Sequence, residues 1–141
     1  MRQFTADQVR AEVQRFWNAF AGKDAQTLAD FYAHESSVFG SSATRSEPGR
    51  LAATRRQREY FGAHSTLKAT LGAIDVAILA DGGAAVADYT FQFHASKVMT
   101  ALGSVTEENI KHGRATQVFA FDPDGKVRIV HEHLSTVDKP S

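Results

Sequence analysis

Apolar positions recur along the chain at two periods, and the change from one to the other falls near Thr66. Before it, Val9, Val13, Phe16, Trp17 and Phe20 return at helical spacing, with Arg10, Gln14 and Arg15 elsewhere on the wheel. Thr5-Ala-Asp-Gln8 has the form of a capping box, and Gly22 is a stop that tolerates left-handed backbone. A second, shorter helix is predicted from an Asp24 cap to Tyr32 or Ala33, burying Leu28, Phe31 and Tyr32. A short strand at Ser37-Val-Phe-Gly40 then enters a polar loop. Pro48 opens a third helix that ends before Gly62, with a thin stripe of Leu51, Ala52, Tyr60 and Phe61.

From Thr66 the period drops to two, as extended chain requires. Residues 67–80 carry Ile74, Val76 and Ile78 in alternation, and Asp81-Gly82-Gly83 predicts a hairpin turn. Residues 84–95 read as one long strand, with Asp88, Thr90, Gln92 and His94 on one face and Tyr89, Phe91 and Phe93 on the other. After a polar connection over 96–107, two more strands are predicted at 109–121 and 126–135, joined by the turn Asp122-Pro-Asp-Gly125. In the last strand, alternation puts Val127, Ile129, His131, His133 and Ser135 on one face. Arg128, Val130, Glu132 and Leu134 fall on the other. Both faces mix apolar and titratable groups, so this strand is expected to line a cavity on one side and a packed sheet on the other. Strands this long in a small domain should twist and curl. Helices first and antiparallel strands after predict an α+β fold, with the helices on one face of the sheet.

Composition narrows the function classes. A chain of 141 residues, 43% hydrophobic and 23% charged, fits one domain with one core, with no internal repeat or linker. A formal net charge of zero argues against nucleic acid or an anionic membrane as the main partner. The absence of cysteine excludes disulfides, thiolate metal sites and a thiol nucleophile. No apolar run approaches the roughly 18 residues a membrane span needs. The first residues lack a secretory pattern, so a cytoplasmic location is the expectation.

Several motifs together carry a family resemblance. They are the Trp-bearing first helix, Gly22-Lys-Asp24, Leu28-Ala-Asp-Phe-Tyr32, Asp81-Gly-Gly-Ala-Ala-Val86 and Gly113-Arg-Ala-Thr-Gln-Val-Phe119. Asp124-Gly125 and the closing Ile129-Val-His-Glu-His-Leu-Ser135 complete the set. From about Val9 to Val137 this resembles the SnoaL-like branch of the nuclear transport factor 2-like superfamily. The closing motif is also similar to that of the calcium/calmodulin-dependent kinase hub domain. The resemblance implies a cone: a curved antiparallel sheet wrapped around about three N-terminal helices, with a pocket at its wide end. It also implies a homodimer formed through the outer sheet face. The superfamily holds ketosteroid isomerase, polyketide cyclases, a scytalone dehydratase and an epoxide hydrolase, and also members with no catalysis, so fold does not settle function.

Alignment with the hub puts Thr90, Gln117 and Leu134 in its cavity, where the hub carries arginines and this chain has none. By alternation the same faces hold Asp88, Gln92, His94 and Glu132, the parts for general acid–base chemistry. The competing reading makes Asp88, Thr90, Gln92 and His94 the wet face of an antiparallel strand, with Tyr89, Phe91 and Phe93 buried. His131 and His133 share a face and could hold a metal with His112, Glu107 or His94. Alternatively each imidazole bonds a neighbour such as Arg114 or Thr116, which the resemblance favours. Trp17, Tyr32, Tyr60 and Phe61 are core aromatics or the wall of a pocket, where Tyr32 would donate to a substrate oxygen. Arg45, Arg50, Arg55, Arg56 and Arg58 are a solvated helix face or a clamp for an anion.

The expectation is a domain that binds a compact, mostly apolar organic molecule. If catalytic, it would be a cofactor-independent isomerase, cyclase or dehydratase with no metal. Asp88, His94 and Glu132 would be its acid–base groups, and Gln117 and Tyr32 would orient oxygen atoms. Trp17 and Phe61 would form the apolar wall, and Thr90, Gln92 and Leu134 would complete the lining. The alternative is a non-catalytic ligand-binding or dimerisation module. A dimer interface built on Tyr89, Phe91 and Phe93 needs that row to face outward, which competes with their burial.

Overall fold

The computed structural model describes residues 2–40, 45–56, 61, 66–99 and 105–137, without the side chains of 56, 66, 97–99 and 105–109. Helix α1 (Ala6–Ala21) is set by its cap: Thr5 Oγ1 accepts from the Gln8 N–H at 3.2 Å and Gln8 Oε1 accepts from the Thr5 N–H at 3.1 Å. Its stripe of Val9, Val13, Phe16, Trp17 and Phe20 is buried as the spacing requires. The left-handed residue at its end is Lys23, at φ 58°, while Gly22 stays right-handed at −80°. Helix α2 (Ala25–Asp30) begins at Asp24, whose carboxyl is held below its ordinary range by the Thr27 hydroxyl and then the Thr27 N–H. That helix is shorter than predicted. Tyr32 and Ala33 already belong to strand β1 (Tyr32–Phe39), which is longer than the predicted Ser37–Gly40. Helix α3 (Gly49–Arg56) follows; Tyr60 and the predicted end of this helix lie outside the described residues.

Six strands form one curved, open sheet in the order β1-β6-β5-β4-β2, with β3 beside β4. The predicted run 67–80 is two strands, β2 (Thr66–Leu71) and β3 (Asp75–Leu79), broken at Gly72. Both pair with one edge of β4 (Ala84–Met99): β3 along Ala84 to Asp88, β2 along Phe91 to Ser96. Strand β4 runs into the stretch expected to be a polar connection, as does β5 (Val105–Phe121) from the other side. Strand β6 (Val127–Val137) pairs antiparallel with β5 and parallel with β1, so the sheet is mixed, not wholly antiparallel.

The helices cover the concave face. Ala85, Ala87, Tyr89, Phe91, Phe93 and Ala95 of β4 are buried there. Phe91 lies 4.7 Å from Trp17 and Phe93 lies 5.1 Å from Phe20, centroid to centroid. This corrects the outward placement of Tyr89, Phe91 and Phe93. The rings fill the core, and a dimer surface cannot be built from them. Asp88, Thr90 and Gln92 are exposed on the convex face, as polar-out alternation gives.

One irregularity decides the placement of the last strand. Phe119 pairs with Ile129 and Val118 with His131, which leaves Val130 unpaired as the extra residue of a β-bulge. The bulge reverses the alternation beyond it. Ile129 and Glu132, three residues apart, are therefore both fully buried on the concave face. This corrects the prediction that they lie on opposite faces. His131 and His133 move to the convex side, where they pair with Val118 and Thr116.

Candidate functional site

The concave face brings four strands and helices to one carboxylate. Glu132 pairs with Gln117 across β6 and β5, and Gln117 with Ala87 on β4. Tyr32 Oη donates to Glu132 Oε1 at 2.9 Å, and Gln117 Nε2 donates to Glu132 Oε2 at 2.6 Å. Behind the amide, Tyr89 Oη donates to Gln117 Oε1 at 2.8 Å and accepts from Trp17 Nε1 at 2.9 Å. Tyr32, Gln117 and Glu132 are 0% exposed, and Trp17 and Tyr89 are at most 5% exposed.

The direction of this chain is fixed at its far end. An indole N–H can only donate, so the Tyr89 oxygen accepts and its own proton goes to Gln117 Oε1. The amide is thereby oriented with its NH2 toward Glu132. Glu132 accepts at both oxygens, and a buried carboxylate requires such partners. The polarised line thus runs from Trp17 through Tyr89 and Gln117 to the acid.

Tyr32 is positioned by helix α3. A Cβ built on Gly49 would lie 2.3 Å from Tyr32 Cδ1 and 2.7 Å from Ser36 Oγ, the group that accepts the Gly49 N–H at 3.1 Å. Gly49→Ala, which usually stabilises an open helix site, is expected here to cost about 1–3 kcal/mol by overpacking. Urea denaturation measures the sign, and a stabilised variant would contradict this role for Gly49.

The sequence profile of the SnoaL-like domain family matches residues 9–139. The chain belongs to the SnoaL-like domain family. Solved structures agree on the fold of this SnoaL-like domain. A dehydratase candidate of the NTF2-like family from Streptomyces avermitilis superposes with a TM-score of 0.78 at 19% identity, over 94% of this chain and 97% of its own. A nuclear transport factor 2 (NTF2-like) superfamily protein from Salmonella enterica serovar Typhimurium gives 0.73 at 24%, over 96% and 92%. A candidate calcium/calmodulin dependent protein kinase II association domain from Xanthomonas campestris gives 0.74 at 18%, over 99% and 97%. At these identities the likeness shows the cystatin-like fold alone. No curated protein matches the sequence.

Of the residues singled out from the sequence, the SnoaL-like fold brings Glu132, Gln117, Tyr32 and Trp17 into one connected group. Phe61 is buried against Phe20 at 5.5 Å, and Leu134 is half-buried beside the core, opposite Ala115. Asp88, Thr90, Gln92 and His94 are not brought to Glu132, because strand alternation sends them to the convex face. There Asp88 accepts from Thr116 Oγ1 at 2.6 Å, and His94 stands half-buried between Lys68 and Ile110. His131 Nδ1 meets Ser37 Oγ at 2.8 Å, a partner on β1 in place of the predicted Arg114 or Thr116. His133 is exposed beside the Phe39 ring. Among the described residues no three His, Asp or Glu side chains converge on a metal-sized site; the Glu107 side chain lies outside them. Arg50 Nε donates to the Tyr32 carbonyl at 3.2 Å, Arg55 pairs with Glu47, and Arg45 is exposed. Arg58 and the Arg56 side chain are outside the description.

Tyr89 is the member that sequence reasoning missed. It stood in a row with Phe91 and Phe93 and was grouped with them as apolar. The signal for it is chemical: a tyrosine in a buried row must find a partner for its hydroxyl, and Gln117 lies on the same face of the next strand. Among the described residues no helix is long and apolar enough to cross a membrane.

Proposed function

We propose that this SnoaL-like domain binds a compact, mostly apolar organic molecule on its concave side and moves a proton on it with Glu132 as the base. The observation that carries the reading is a fully buried carboxylate, held by one hydroxyl and one amide, against a wall of aromatic rings. Removing a proton next to a carbonyl needs a fixed acceptor and a donor for the oxygen that gains charge. Glu132 is the acceptor in this scheme. Tyr32, already aimed at the acid, is the donor, and Gln117 and Tyr89 keep the acid oriented. Isomerisation, cyclisation and loss of water all begin with that step, and no cofactor is required for it. The dehydratase candidate among the structural neighbours is compatible with the last of these. Asp88 and His94 have no part in it, being on the other side of the sheet.

The test is proton exchange. Cyclic ketones with acidic α-hydrogens are incubated with the protein in D2O, and deuterium uptake is followed by NMR. Exchange above the rate of heat-inactivated protein is expected, with Glu132→Gln slowing it by about 100-fold or more. Tyr32→Phe is a second probe, of smaller effect and gentler on the fold. Equal rates for wild type and a folded Glu132→Gln variant would remove the base from the scheme.

A second reading is favoured by one observation. The Trp17 N–H, the Tyr89 and Tyr32 hydroxyls and one Gln117 N–H already have acceptors within the core, which is also what a purely structural network requires. On that reading the domain is a non-catalytic ligand-binding or assembly module, and the exchange experiment returns only background.

A further inference from the structure

Four of the six histidines stand on the convex face of the sheet. His94 on β4 is in register with Lys68 on β2 and Ile110 on β5. His112 on β5 is in register with Gln92 on β4 and Val137 on β6. On β6, His131 is flanked by Val118 and Ser37, and His133 by Thr116 and Phe39. Side chains opposite each other on paired strands share a face, so the four imidazoles belong to one surface. Glu132 and its partners lie on the other side of the sheet.

The same surface is partly apolar and balanced in charge. Phe39, Ile110 and Val137 are 39%, 48% and 36% exposed on it, each in register with one of the histidines, and such a set calls for cover. Ala77, Val86 and Val118 form a further apolar row nearer the hairpin turns. Lys68 and Arg114 are the bases of the four central rows, and Asp75 and Asp88 the acids. A second copy of the chain is the partner that the family resemblance implies, and the surface itself supports that choice. Asp88 stands one row from Thr90 and Arg114. A two-fold axis lying in the face between those rows sets Asp88 of each copy over Thr90 of the other, beside Arg114. From Ala84 to His94 the strands run about 33 Å, and five strands span about 24 Å, which gives roughly 800 Å². That is what each partner brings to an interface of standard size.

We propose that the convex face joins two copies of the chain, and that its histidines release them as the pH falls. An imidazole covered by a partner is held neutral, because burial disfavours the imidazolium. The bases already present oppose the new charge: Lys68 opposite His94, and Arg114 next to His112 on the same face of β5. Asp88, with Asp75 beyond it, is separated from His133 by Thr116. The side chain of Glu108, in register with Ser96, lies outside the described residues. His131 is already held by Ser37, so His112 and His133 carry most of the effect. Dissociation then takes up protons, so association is strongest above the ordinary histidine range near about 6.5 and weakens below it. One imidazole per protomer that must stay neutral weakens the dimer about 100-fold one pH unit below that range. None of this draws on the role given to Glu132.

Sedimentation velocity over a dilution series, at about pH 8 and about pH 5.5, is the test, with near-UV circular dichroism at each pH as the check on folding. A dimer is expected at the higher pH, with association at least about 100-fold weaker at the lower one and the near-UV signal unchanged. The double variant His112→Gln, His133→Gln is expected to remain a dimer at the higher pH and to lose at least about tenfold of the pH effect. A chain that is monomeric at about pH 8 even near about 1 mM overturns the proposal, as does equal association at the two pH values. A double variant that is folded, dimeric and as pH-sensitive as wild type overturns it too. So does loss of the near-UV signal together with the dimer, because the acid then unfolds the chain instead of parting two folded copies.

Discussion

Replacing Glu132 with alanine is expected to destabilise the domain by about 3–5 kcal/mol, enough to lower Tm by roughly 10–20 °C. The cost has two sources. The Tyr32 hydroxyl and the Gln117 amide lose their acceptor while fully buried, and each stranded donor costs about 1–3 kcal/mol. Glu132→Gln is the sharper experiment. Its amide offers one acceptor where two are needed. If Gln117 turns over to compensate, its NH2 meets the Tyr89 oxygen, which already accepts from Trp17, and the Tyr89 proton is left without an acceptor. One donor is stranded in either arrangement, so Glu132→Gln should still cost about 1–3 kcal/mol. A double-mutant cycle with Tyr32→Phe should return a coupling of about 0.5–3 kcal/mol. Denaturant melts in which Glu132→Gln matches wild type, or in which the cycle shows no coupling, would mean that the line of hydrogen bonds is not continuous in solution.

Deleting Val130 is expected to do more damage than any substitution. The residue is the insertion that lets Ile129 and Glu132 both face inward. Without it, β6 must choose. Either Glu132 and Leu134 turn outward and His131 and His133 replace them inside, or Ile129 and Val127 leave the core. A one-residue slip moves every following side chain to the other face. The loss should exceed about 4 kcal/mol, comparable with much of the total stability of a domain this size. Val130→Thr keeps the residue count and should cost within about 1–2 kcal/mol, so the pair isolates the bulge from the side chain. A deletion variant that unfolds cooperatively at the wild-type midpoint would show that the bulge can be absorbed elsewhere.

The bulge also marks where the chain could be read and where it could not. Helix α1 was legible because its signals are local: a cap, a stop and a stripe within one segment. So was the hairpin at Asp81 and Gly82; which face of β4 is buried was not, because alternation alone gives two faces and only the packing of Trp17 and Phe20 chooses between them. The final strand was legible as a strand, yet its faces were inverted beyond Val130, since the insertion is fixed by pairing with β5 and leaves no local mark. Tyr32 was placed in a helix because Leu28, Phe31 and Tyr32 fit its period. Its true state depends on β6, about a hundred residues away in sequence, as the Tyr32–Glu132 separation of 100 records. The candidate site was partly visible for the same reason. Glu132, Gln117, Tyr32 and Trp17 were named individually, but their connection through Tyr89 is tertiary.

That separation bears on the order in which the molecule assembles. Strand β1 lies against β6, which follows it only after every other described strand, and the two run in the same direction. Closing so distant a pair late is entropically slow compared with zipping the β4–β5 and β5–β6 hairpins. Until it closes, one edge of the sheet stays open and Glu132 waits for the hydroxyl that completes its coordination. Refolding should therefore show the hairpin amides protected before those of Ser37 to Phe39, with the acid-bearing core sealed in the final step.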